Sequence, residues 1–155
     1  MLRRSIWVLA LSGLFAVPLH AAEPVSTSFL GNTAIGGKDT VSYHEPALRQ
    51  AHAVRAGDKR FVVRYLGADW HFASQASADR FAAEPAKYRP HYNGFCANAL
   101  SLGEGLVRTD GSVWDFFGDQ LYLFYGESGR QRWLGGDWQT YRRQADTAWQ
   151  AALKK

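Results

Sequence analysis

Two stretches carry the apolar, β-prone pattern of paired strands. Phe61-Val62-Val63-Arg64-Tyr65 and Trp70-His71-Phe72 are rich in β-branched and aromatic residues, and the intervening Leu66-Gly67-Ala68-Asp69 predicts a hairpin. In the second run His71 alternates with Trp70 and Phe72, so it faces away from both. A second hairpin is expected from an apolar strand beginning near Val113, a turn at Gly118-Asp119-Gln120 and a return strand from Leu121 to Tyr125.

Helical signals sit between and after these pairs. Ser74 stands where a helix cap belongs, ahead of a short helix that ends near Pro85 and places Ser77 and Phe81 one turn apart. Residues 95–105 read as a short helix stopped by Gly103 and Gly105. Trp138, Tyr141, Ala145, Ala148, Trp149 and Ala152 recur mostly at steps of three or four, so Asp137 to Leu153 predicts a longer helix with one buried stripe, capped by Asp137. Gly36-Gly37 and Asp39 suggest a turn into a short extended piece, Val41 to Tyr43, while residues 45–58 have no clean period. Strand pairs interleaved with short helices, without βαβ alternation, give an α+β class: a small single domain of antiparallel hairpins, short helices and a longer C-terminal helix.

The first residues alter the picture. Arg3 and Arg4, an apolar run from Ile6 to Val17, then Pro18 and small residues at Ala21 and Ala22 have the layout of a secretory signal peptide. The run is short of the roughly 20 residues needed to span a bilayer. The expected organisation is a signal peptide over 1–21, a flexible lead-in over 22–34 and one domain over 35–153, in a protein that is periplasmic or secreted, with no stable membrane insertion after cleavage. Of the formal net charge of +4, two units belong to Arg3 and Arg4, and the other basic residues are dispersed, which argues against nucleic-acid binding. With 9 Phe, 6 Trp and 7 Tyr the chain can fill a core, and with one cysteine it has no intrachain disulfide to support it.

That cysteine, Cys96, raises the chemical question. An unpaired thiol in an oxidising compartment is either a buried small side chain or a ligand or nucleophile. Four histidines precede it outside the signal segment, His44, His52, His71 and His91, and thiolate with imidazole is a donor set suited to copper or zinc. Spacing alone cannot close such a site. There is no G-x-S-x-G, no phosphate-binding glycine loop and no H-E-x-x-H. A Cys–His nucleophilic dyad has no local signature either, so nothing marks the chain as an enzyme.

Several motifs occur in a fixed order: Gly36, Gly37, Asp39, Val41 and Tyr43; then Trp70-His71-Phe72-Ala73-Ser74; then Phe81, Pro85 and Tyr88; then Tyr92, Gly94, Phe95, Cys96 and Ala97. In this succession, which covers about residues 32 to 152, the chain resembles the YHS domain family, and more narrowly its exported single-domain bacterial members. The resemblance implies a relation to small metal-binding modules, several of them associated with heavy metals and copper especially. Ala73 replaces the metal-associated cysteine of the name-giving motif, whereas His71 and Ser74 match it. His44 and His91 stand where relatives usually have other residues.

These features together give the expected function: a periplasmic metal-binding protein that sequesters or delivers copper, or else zinc, through Cys96, His44 and His91, with His71 as a further ligand. A protein partner for metal transfer would follow from that role. Two other readings remain open at this point, a non-metal module for a small ligand or a protein, and a thiol-based redox protein.

Overall fold

The computed structural model describes residues 22–155, so the expected signal segment lies outside the described residues. Strand β1 (Asp58–Tyr65) pairs antiparallel with β2 (Ala68–Phe72), and β3 (Val113–Phe117) with β4 (Gln120–Phe124). The connection between β1 and β2 needs only Leu66 and Gly67, both at positive φ, which matches the right-handed twist of a tight hairpin. The helices are α1 (Pro46–Gln50), α2 (Gln75–Ala83), α3 (Pro85–Tyr88), α4 (Ala97–Ser101), α5 (Glu127–Gly135) and α6 (Trp138–Ala152). The class is α+β, with two separate two-stranded sheets and the longest helix at the C-terminus. No helix among the described residues is long and apolar enough to cross a membrane.

Local signals explain most boundaries. Ser74 caps α2 by accepting from the Ser77 N–H at 3.1 Å, and Asp137 caps α6 by accepting from the Thr140 N–H at 3.1 Å. Pro85 cannot continue α2 and instead opens α3, where its missing N–H costs nothing.

The apolar residues form two clusters, and the β3–β4 hairpin is the wall between them. Trp114, Leu121 and Leu123 pack into a first core with Ile35, Tyr43, Trp70, Phe72 and Phe81. Phe117, Tyr122 and Phe124, which alternate with them, pack into a second core with Phe95, Leu100, Trp133, Ala145 and Trp149. A strand buried on both faces reads as a continuous apolar run, which is why Leu121 to Phe124 has no polar alternation. The stripe of α6 closes the second core: Ala145 and Trp149 are buried, while Trp138, Tyr141 and Ala148 pack against them.

Three segments depart from the sequence pattern. Residues 22–34 are not a free lead-in. Val25 and Ser26 are buried, the Ser26 N–H donates to Asn93 O at 3.0 Å, and its hydroxyl accepts from the Thr109 N–H at 2.9 Å. The tip around Phe29 and Leu30 stands in solvent. Small polar residues look like linker composition, but here they bond to distant backbone groups. Residues 41–43 are not extended: Ser42–His44 is a 3-10 turn. Helix α5 has no apolar stripe, and it is held by Gly129 against Asn98 and by the fully buried Trp133.

The turn at residues 39–44 follows from one buried acid. Asp39 is 1% exposed; its Oδ1 accepts from the Val41 N–H at 3.0 Å and the Ser77 hydroxyl at 2.8 Å, and its Oδ2 from the Ala73 N–H at 3.0 Å. One carboxylate thereby ties this turn to the end of β2 and the start of α2. Asp39→Ala leaves these donors buried without a partner and is expected to cost about 3 kcal/mol or more in chemical denaturation. Trp149→Ala empties an aromatic site against Tyr92 and Phe95, with an expected loss of about 3–5 kcal/mol in the same measurement.

Candidate functional site

The structure places the four expected metal ligands in different surroundings. Cys96 is the cap of α4, buried, and its sulfur accepts from the Ala99 N–H at 3.5 Å and the Tyr125 N–H at 3.2 Å. His44 lies edge-on between Tyr88 and Phe116, with ring centroids 5.3 and 5.1 Å away, and its Nε2 is enclosed with no hydrogen-bond partner among the described residues. His71 is half-buried on the outer face of β2, opposite Trp70 and Phe72, and pairs in register with Val62. His91 faces Asp146 on α6, its Nε2 3.4 Å from Oδ1. His52 is elsewhere again, stacked on Trp114 with centroids 4.2 Å apart.

These positions do not converge. No group of three or more His, Cys, Asp or Glu side chains among the described residues is arranged to hold a metal ion. The sulfur is met by two amide donors rather than by imidazoles, and His44 is walled in by aromatic rings. The donor set of Cys96, His44, His91 and His71 therefore does not fit one copper or zinc centre in this fold. The physical reason is topological: the second hairpin separates the aromatic surroundings of His44 from those of His91.

What the fold does assemble is a polar cleft of about 590 Å³ around His91. Its floor is the turn after α3, where Tyr92, Asn93 and Gly94 have φ of 54°, 50° and 86°. Three successive residues in the left-handed region are costly for side chains with a Cβ, by about 1 kcal/mol or more at Tyr92 and by less at Asn93, a residue type that tolerates this region. Gly94 is required, since a Cβ there would collide with Ile35.

The strain is held by a network. The buried Asn93 donates through Nδ2 to Glu23 Oε2 at 3.1 Å and to Pro24 O at 3.0 Å, and its Oδ1 accepts from Arg89 at 2.8 Å. Arg89 also pairs with Glu23 at 3.1 Å. Through Glu23 the segment read as a lead-in thus contributes to one wall of the cleft.

The opposite wall is α6. Arg142, Asp146 and Gln150 lie on one face at helical spacing with the buried Trp149 at its edge, and Gln120 joins them from the start of β4. Tyr92 donates its hydroxyl to Asp146 Oδ1 at 2.8 Å, and Arg142 Nε is 3.7 Å from Oδ2. Burial, reinforced by Asp146, raises the Tyr92 hydroxyl well above the usual phenol range, so it stays a protonated donor. Tyr122 sits next to His91 and Tyr92 with its hydroxyl enclosed and without a partner among the described residues, pushed up to about 12 by burial. The arrangement offers donors, acceptors and an aromatic edge, a binding surface rather than an activated nucleophile. Sequence pattern reaches His91, but nothing in it sets Arg142 and Asp146 apart from other polar residues of the helix.

His44 and His91 are shifted in the same direction. Burial lowers His44 below its ordinary value near 6.5, partly offset by the Tyr88 backbone. It also lowers His91, against the raising influence of Asp146. Each folded-state value lies below the unfolded one, so the unfolded chain binds more protons as pH falls through about 6.5, and stability is lost there. The denaturation midpoint is expected to fall between about pH 7.5 and about pH 5.5, and His44→Phe is expected to flatten that fall.

Comparison of the chain with protein-family models, with curated proteins and with solved structures finds no match.

Proposed function

We propose that the chain is a YHS-type ligand-binding module that works outside the cytoplasm and holds a small polar molecule in the cleft between the 89–94 turn and α6. The observation that carries this reading is the left-handed run Tyr92-Asn93-Gly94, kept in place by a buried Asn93 network and turned toward a polar helix face. Backbone strain persists where surrounding structure over-determines it, and such places concentrate at ligand sites. The cleft volume is in the usual range for small-molecule sites. Export rests on the charged, apolar and small-residue order of residues 1–22. The copper reading lacks a gathered ligand set.

The test is amide-resolved NMR of tag-free protein against a panel of small acids, amines, sugars and free amino acids. At least one class is expected to move the signals of residues 89–94 and 142–150 saturably, leaving those around Cys96 in place. A panel that leaves the cleft unmoved would overturn the reading. Copper titration in parallel gives the contrast: a stoichiometric absorption band lost in Cys96→Ser and weakened in His44→Ala and His91→Ala would restore the Cys/His site.

A further inference from the structure

The cleft contains two carboxylates and two guanidinium groups, and they are not equally occupied. Glu23 and Arg89 use each other, at 3.1 Å, and both are bound to Asn93. Asp146 receives the Tyr92 hydroxyl at 2.8 Å and has His91 at 3.4 Å on the same oxygen. Arg142 is different. Its guanidinium makes no hydrogen bond to any described residue, its one charged neighbour is Asp146 at 3.7 Å, and its side chain is 41% exposed. A guanidinium carries five N–H donors in a planar fork, so most of its capacity is uncommitted. Asp146 offsets its charge but does not use up its N–H groups, so Arg142 is the cation of this cleft with donors to spare.

We infer that the ligand is a small organic monocarboxylate, bound by Arg142 through its carboxylate; this rests on the ligand-binding reading above. A carboxylate matches the guanidinium fork with two parallel hydrogen bonds. Gln120 and Gln150 line the same cleft and supply donors and acceptors for hydroxyl or carbonyl groups on the body of the acid, while Pro90 and Trp149 offer apolar contact. The neighbouring Glu23 and Asp146 decide against a dianion such as phosphate: they already offset Arg89 and Arg142, so each negative charge on the ligand adds repulsion and a dianion adds about twice that of a carboxylate.

The experiment is an amide-resolved NMR titration with acetate, lactate, pyruvate and benzoate, with the corresponding neutral amides and inorganic phosphate as controls. One or more of the acids is expected to shift residues 89–94 and 142–150 saturably, while its amide and phosphate do not. Arg142→Gln, at a half-exposed position where folding should survive, is expected to weaken that binding by about tenfold or more, and Arg142→Lys by less. The melting temperature of each variant checks that the fold is intact. If an amide or phosphate binds as well as the acid, or Arg142→Gln keeps full affinity, the carboxylate inference is wrong and the cleft still binds. If amines or sugars from the wider panel bind there and no acid does, the inference falls alone; if nothing binds, both fall.

Discussion

A hairpin buried on both faces is the constraint from which the rest of this molecule follows. Two strands alone are marginal in water, because each leaves an apolar face uncovered. Here β3 and β4 send Trp114, Leu121 and Leu123 to one side and Phe117, Tyr122 and Phe124 to the other. The N-terminal hairpin with α2 covers the first face, and α4, α5 and α6 cover the second. Without the hairpin neither half would have a complete core. The exit of β4 is fixed as well, since the Tyr125 N–H donates to the Cys96 sulfur at 3.2 Å. The single thiol thus joins the end of the central hairpin to the first turn of α4, a buried role consistent with an unpaired cysteine.

Much of this fold was legible in the sequence because local chemistry agreed with it. Both hairpins, the caps at Ser74 and Asp137 and the stripe of α6 were visible as residue types at the right spacing. The two misread segments share one cause. Ser26, Asp39 and Asn93 form long-range bonds between side chain and backbone or side chain and side chain, and such bonds leave no periodic trace. They convert apparent linker into packed structure at residues 22–34 and apparent strand into turn at residues 41–44. Helix α5 escaped because one fully buried tryptophan and one glycine seat it, and neither makes a stripe.

The site was legible only in part for a related reason. Counting soft donors placed Cys96 and the histidines on a list of ligands, but coordination depends on directions that counting cannot supply. Once folded, the sulfur is directed at two amides and His44 at two rings. His91 was within reach of the sequence reading, as a residue on a turn beside Asn93-Gly94. Its counterparts on α6 were not, because a polar helix face looks the same whether it meets water or a cleft.

The division of labour between the two walls of the cleft has a consequence for how such a module could diversify. The turn wall is intolerant: Gly94 has no room for a Cβ and Asn93 is bound on every side, so change there would be felt by the fold. The helix wall is permissive at Arg142 and Gln150, which project from a helix anchored through Ala145 and Trp149 on its inner side and through Asp146 to the Tyr92 hydroxyl. Recognition and foldability are therefore written in different residues of the same helix. Descendants of this chain could exchange one ligand for another by drifting at two surface positions, while the scaffold that presents them stays under separate selection.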